Sequence, residues 1–162
     1  MNPPKRILLV EDSARDAELI LGALEPHQIA GEVMHVRDGA EALDYLYRRG
    51  DFASRSGGQP ILMLLDLKLP KVDGLEVLRQ IKSDLTLKMI PVVMMTSSRQ
   101  EQDLLRSYEL GVNGYVVKPM KFQDFVEAVK QVSGFWAVIN EVPGSLNGNE
   151  GPGAQLSTTV KT

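Results

Sequence analysis

Two hydrophobic periodicities alternate along this chain five times, and no other feature of the sequence restricts the fold as tightly. Ile7-Leu8-Leu9-Val10 is a short apolar run bounded by charge, too short for a helix. It reads as a buried strand. Ser13 is placed to cap a helix, and Ala17, Leu19, Ile20, Leu21 and Leu24 form an apolar stripe at helical spacing over Ala14 to Leu24. The pattern then repeats. Strands are expected over Glu32 to Val36, Ile61 to Leu65, Pro91 to Met95 and Tyr115 to Val117. Helices are expected over Gly39 to Arg48 and Leu75 to Ile81, around Leu104 to Leu110, and from Lys121 onward. Pro91 sits at a strand start, where a missing N–H is tolerated. Strands and helices in strict alternation imply a parallel sheet with helices on both faces and right-handed crossovers.

At 162 residues the chain has one domain's worth of sequence with room for a tail. The formal net charge of −3 argues against nucleic acid as a partner, which would favour a basic face. The absence of cysteine excludes disulfides, thiolate chemistry and Cys-based zinc sites. Met1 to Arg6 carries no signal-like apolar stretch, and no run of about 18 apolar residues occurs anywhere, so no membrane partner is expected. The expectation is a soluble cytoplasmic protein. The segment from Arg48 to Pro60 is a long loop rich in Gly, Ser and Arg, and residues 143–162 have the composition of a flexible tail.

In open parallel α/β sheets, ligands bind beyond the carboxyl ends of the strands. The first strand ends in Glu11-Asp12, the third in Asp66, the fourth in Thr96-Ser97-Ser98, and the fifth runs into Lys118-Pro119. If strands one, three and four are neighbours, three carboxylates, a hydroxyl and an ammonium converge. Carboxylates about 4 Å apart repel by roughly 4 kcal/mol per pair at an effective dielectric near 20. A hard divalent cation relieves that repulsion, and oxygen ligands of this kind suit Mg²⁺. A carboxylate beside such an ion is a workable nucleophile toward phosphorus, giving an aspartyl phosphate. Each residue alone has a plainer reading: a strand-end Asp often caps a helix, and a lone Lys is usually solvated. The conjunction at four strand ends carries the weight.

These residues resemble a family, the receiver domains of two-component response regulators. The likeness covers Lys5 to about Val132 and rests on ILLVEDS with Glu11 and Asp12, LLDLKLPKVDG with Asp66, Pro70 and Gly74, VVMMTS with Thr96, and GVNGYVVKP with Tyr115, Lys118 and Pro119. The spacings, 30 residues from Asp66 to Thr96 and 22 more to Lys118, fit the family. The resemblance implies a three-layer doubly wound (βα)5 flavodoxin-like fold with a five-stranded parallel sheet in the order 2-1-3-4-5. It makes Asp66 the phosphoacceptor. Glu11, Asp12, Asp66 and the backbone carbonyl of Lys68 become ligands for Mg²⁺ or Mn²⁺. Thr96 and Lys118 become phosphoryl contacts, with Thr96 and Tyr115 as the switch pair. It also implies a cis bond before Pro119, although X–Pro bonds in general are cis only about 5–6% of the time. Glu11 stands where an Asp is commoner and should lengthen the reach. Lys68 lies at a position that affects how long the phosphoryl group survives.

The same likeness implies a sensor histidine kinase as partner. The loop from Tyr45 to Pro60 and the segment FWAVINEVP look like the small regulators paired with bacterial phytochromes. Only about 30 residues lie beyond the receiver region of residues 5–132, too few for a DNA-binding output domain, so action by protein contact or phosphorelay is expected. The apolar pattern of the last helix runs on through Phe135, Trp136, Ile139 and Val142. Residues 133–142 are therefore expected to extend the helix as a dimerisation arm in a homodimer, with Gly134 as a possible hinge; the plainer reading is that the segment folds back on its own domain. Other readings fit the residues less well. A haloacid-dehalogenase-type phosphatase would want a second Asp where Lys68 stands. A flavin carrier would want a hydroxyl-rich loop where Glu11 and Asp12 stand. A pseudo-receiver would act as a constitutive binding or dimerisation module, and the intact acidic set argues against it. His27 and His35 lie outside the strand-end set and read as ordinary histidines. No catalysis beyond self-phosphorylation and autodephosphorylation is expected.

Overall fold

The computed structural model describes residues 5–25 and 32–143. Five strands, β1 (Arg6–Val10), β2 (Glu32–Val36), β3 (Leu62–Leu65), β4 (Val92–Thr96) and β5 (Gly114–Val117), form one parallel sheet in the order β2-β1-β3-β4-β5. Five helices alternate with them: α1 (Ala14–Leu24), α2 (Gly39–Tyr47), α3 (Gly74–Ser83), α4 (Glu101–Glu109) and α5 (Phe122–Gly134). This is the doubly wound flavodoxin-like fold and strand order expected from the sequence.

Burial explains the composition of the strands. All residues of β3 and β4 are buried, so both read as continuous apolar runs. Alternate side chains of each strand feed two cores. Leu8, Val10, Met63 and Leu65 meet α2 and α3 through Leu46, Val77, Leu78 and Ile81. Ile7, Leu9, Leu62 and Leu64 meet α1 and α5 through Ile20, Leu24, Phe125 and Val129. The edge strands β2 and β5 are only partly buried.

Helix starts follow capping chemistry. Ser13, Asp38 and Asp73 each accept a hydrogen bond from the N–H three residues on, at Asp16, Glu41 and Glu76. Two glycines are dictated by close approach. A Cβ on Gly74 would stand 2.1 Å from the Asp66 carbonyl oxygen, and one on Gly39 would stand 1.9 Å from that of Val72. The loop between β3 and α3 therefore presses against two helix starts. Within it, Lys71 adopts φ of 65°, a left-handed conformation that few non-glycine residues take.

The long loop before β3 is tied down by arginines. Arg48 donates to the carbonyls of Arg55 and Gly57. Arg55 stacks 4.1 Å over the Tyr45 ring and donates to the Tyr45 and Gly58 carbonyls. Arg6 pairs with Glu32 and donates to the Tyr45 hydroxyl.

Two expectations need correction. No peptide bond among the described residues is cis, so Lys118–Pro119 is trans. The trans form is the one that X–Pro bonds favour in the absence of a constraint, by about 0.5–1 kcal/mol. The C-terminal segment is also not an unbroken α-helix to Val142. Helix α5 includes Ser133 and Gly134, and Gly134 has ordinary helical dihedrals rather than acting as a hinge. One π-helical turn, Phe135–Ile139, comes next, and the chain turns extended at Asn140. This turn covers part of its own domain. Ala137 is buried and its carbonyl accepts from Lys5 Nζ at 2.6 Å, while Trp136 packs partly buried on the α1–α5 core. Phe135, Val138 and Ile139 stay exposed, and Val142 is half-buried. Apart from Pro143, the expected tail lies outside the described residues, as does His27. Among the described residues no helix is long and apolar enough to cross a membrane.

Candidate phosphoacceptor site

Strand register brings the strand-end residues together. Val10 of β1 pairs with Leu65 of β3, so Glu11 and Asp66 leave adjacent strands side by side. The Asp66 N–H extends this ladder by donating to the Val10 carbonyl, and the Glu11 N–H donates to that of Val36. Thr96 of β4 pairs with Val117 of β5, and the Lys118 N–H donates to the Thr96 carbonyl at 2.7 Å. All four of these side chains are buried: Glu11 and Thr96 at 2% exposure, Asp66 and Lys118 at 9%. Asp12 is exposed beside them.

The carboxylates of Glu11, Asp12 and Asp66 offer oxygens that all lie within 4.8 Å of one another. The Lys118 ammonium spans this acidic set. Its Nζ donates to Glu11 Oε2 at 2.9 Å, to Asp66 Oδ2 at 3.2 Å and to Asp16 Oδ2 at 2.9 Å. Burial pushes the Glu11 carboxyl up to about 7. The Lys118 hydrogen bond opposes that shift and the neighbouring Asp66 charge adds to it. Burial by itself would lower Lys118, but its hydrogen bonds to Asp16 and Glu11 and the Asp66 charge outweigh it, so the ammonium is held well above its ordinary value. The site thus has excess negative charge that one lysine neutralises only in part. Oxygen donors at this separation, one of them solvent-facing, fit a hard divalent cation that keeps some of its water.

The other residues singled out in the sequence lie around this pocket. The Lys68 N–H donates to Asp66 Oδ1 at 3.4 Å. Thr96 Oγ1 accepts from the Ser98 N–H at 3.2 Å, and Ser98 Oγ donates to Asp103 of α4. Tyr115 is half-buried, with its hydroxyl donating to the Ser98 carbonyl at 3.2 Å. Thr96 and Tyr115 are therefore joined through one residue of the loop ahead of α4. Pro119 lies in a cleft of about 400 Å³ beside Lys118. The dimer-arm residues Phe135, Trp136, Ile139 and Val142 belong to the C-terminal segment rather than to the pocket. His35 stands outside the carboxylate set, yet its Nε2–H donates to the backbone carbonyl of Glu11 at 2.9 Å.

Sequence reasoning missed Asp16. Its only sequence signal is its place three residues after the Ser13 cap, a spacing shared by many structural helix starts.

Known proteins similar to this chain in sequence and fold are numerous. The family model described as the response regulator receiver domain matches residues 7–130. The response regulator Rcp1 of Synechocystis is 44% identical over 135 residues, spanning 83% of this chain and 90% of Rcp1. The crystal structure of the Mn²⁺-bound form of response regulator Rcp1 matches with a TM-score of 0.81 at 42% identity, over 86% of this chain and 99% of that one. The phosphorylated cyanobacterial phytochrome response regulator RcpA matches with a TM-score of 0.81 at 46% identity, over 86% of this chain and 98% of its own. The bacteriophytochrome response regulator AtBRR is 60% identical with a TM-score of 0.68, over 85% of this chain and 98% of its own. Fold and sequence agree across most of the chain, which belongs to the response regulator receiver domain family and resembles its phytochrome-associated members.

Proposed function

We propose that this protein accepts a phosphoryl group on Asp66 from a sensor histidine kinase and signals through a phosphorylation-dependent change in protein contacts. The observation that carries this reading is the buried convergence of Asp66, Glu11 and Lys118, with Asp12 beside them, at the carboxyl ends of three strands. An Asp66 carboxylate oxygen attacks the phosphorus of a phosphohistidine in line. The new O–P bond forms as the P–N bond breaks, and the electron pair leaves on the imidazole. The work of the site is positioning and charge neutralisation. Glu11, Asp12, Asp66 and the Lys68 carbonyl would hold Mg²⁺ or Mn²⁺, which when bound offsets the charge on the transferring phosphoryl oxygens. Lys118 and Thr96 contact the phosphoryl group.

The product carries roughly two negative charges. Thr96 moves toward them, the Ser98 loop moves with it, and Tyr115 loses its partner at the Ser98 carbonyl. The face built from α4, β5 and α5 then changes affinity for its partners. A switch from 1:99 to 99:1 takes roughly 5.5 kcal/mol of preference between the two states. The protein itself acts as a signalling domain in the cytoplasm, with a phytochrome-type kinase as the partner class. The chain divides into a receiver at residues 5–132, an arm at 133–142 and a tail at 143–162. The exposed Phe135, Val138 and Ile139 support a homodimer through the arm.

Incubation with acetyl phosphate and Mg²⁺, read on a phosphate-affinity gel, tests the acceptor. Wild type should shift, and Asp66→Ala should not. An Asp66→Asn protein that still takes stoichiometric acid-labile phosphate would end this reading. A wild type that never shifts, with donor or kinase, would mark a constitutive binding module instead. Sedimentation of the same samples tests the arm, and a purely monomeric protein at tens of micromolar would remove it.

A further inference from the structure

The Lys118 ammonium has three protons, and three carboxylates take them. The acceptor chemistry has a use for Glu11 and Asp66 but none for Asp16. Asp16 stands three residues after the Ser13 cap, where an acidic side chain ordinarily reaches back to the cap's own N–H. Here Glu11 Oε1 already accepts from the Ser13 N–H at 3.1 Å. The backbone half of the motif is kept, since the Asp16 N–H donates to Ser13 Oγ at 3.2 Å. The side chain, released from its usual partner, reaches Lys118 instead. It is also the most solvated of the three partners, with side-chain exposure of 27% against 2% for Glu11 and 11% for Asp66. It borders the cleft of about 400 Å³ together with Arg15, Ser97, Arg99 and Met120.

We propose that Asp16 is a positioning residue, a counter-ion latch that holds Lys118 in the unphosphorylated protein and yields it to the phosphoryl group on Asp66. The proposal rests on the acceptor reading of Asp66. A phosphoryl group brings three strong acceptor oxygens, and Lys118 has no proton to spare for them. One existing bond must open. Glu11 and Asp66, at 2% and 11% side-chain exposure, have little water to turn to, whereas Asp16, at 27%, turns into the open cleft and regains water. Asp16 therefore competes with the phosphoryl group for Lys118 and weakens the site's hold on it.

The test is titration of the full chain with beryllofluoride, a phosphoryl mimic, by calorimetry in saturating Mg²⁺. A charge-assisted competitor removed by Asp16→Asn should tighten beryllofluoride binding about tenfold. Mg²⁺ affinity measured alone should change less than about threefold, because Asp16 is not among the metal-site acids, a split that loss of a helix cap would not produce. Asp16→Glu, which keeps the charge, should return to wild-type behaviour, and Asp16→Ser serves as the neutral variant should the Asn form not fold. Neutral variants that bind beryllofluoride no better than a binding wild type overturn the latch alone. A wild type that does not bind it overturns the acceptor reading, and the latch with it.

Discussion

Helices α3 and α4 are neighbours of nearly equal length, 10 and 9 residues, and they are held in opposite ways. Helix α3 starts from an Asp73 cap and buries Val77, Leu78 and Ile81 at 0% exposure. Helix α4 has no side-chain cap, buries only Ser107, and leaves Leu105 and Tyr108 exposed at 56% and 57%. The first helix braces Asp66 through the close approach of Gly74 to its carbonyl. The second comes after the loop that leaves β4 at Thr96 and carries Ser98. A phosphoacceptor needs fixed geometry, whereas an output element must move at small cost, and local stability tracks buried apolar contact. Under the proposed function, the contrast would put the acceptor on the rigid side of the site and the response on the loose side.

The contrast breaks most easily at its anchored end. Removing Lys118 leaves Glu11 and Asp66 buried without their cation. Lys118→Ala should lose about 3–5 kcal/mol in chelator at pH 8, with part of the loss restored by Mg²⁺, as read by urea unfolding. Leu78→Ala on α3 should cost about 3 kcal/mol, while Leu105→Ala on α4 should stay within about 0.5 kcal/mol. Equal losses at the two helices would abolish the distinction. Gly74→Ala should cost about 1–3 kcal/mol by forcing the Asp66 strand end aside, and should slow phosphorylation by acetyl phosphate. Tyr115→Phe removes a single hydrogen bond to Ser98 and should cost about 1 kcal/mol or less, while loosening hydrogen exchange in the loop ahead of α4.

The acidic end also carries a pH signature. The folded Glu11 carboxyl lies at about 7, above its ordinary 4.5, so the folded state holds this proton more tightly than the unfolded chain. Its contribution to stability is complete below pH 4.5 and is lost as pH rises to about 7. In chelator, the stability of wild type relative to Glu11→Gln should fall across that window. A constant difference between the two proteins from pH 4.5 to pH 7 would contradict the burial argument.

Much of the fold and site was legible in the sequence because strand and helix periodicities are local. Ala14–Leu24 and Glu32–Val36 came out with the bounds read from the sequence. The four strand-end positions were legible for the same reason: once the strands are placed, the residues after them are fixed. The shortfalls came where a local pattern has two outcomes. A stripe from Phe122 to Ile139 is equally apolar on a projecting helix and on one that lays Trp136 and Ala137 against its own core. A Ser-x-x-Asp start gives the same letters whether the acid caps its helix or leaves it.

Local residue patterns were enough to set the order of elements and which side chains stand at the carboxyl ends of the strands. Chain closure in three dimensions was needed to bring Asp16 and Lys118, 102 residues apart, into one hydrogen bond, and to lay Trp136 of the last apolar turn on its own domain. Range separates the two. Hydrophobic period and capping chemistry act over a few neighbouring residues, whereas the partners of one buried ammonium are chosen by how separate strands and helices close around it.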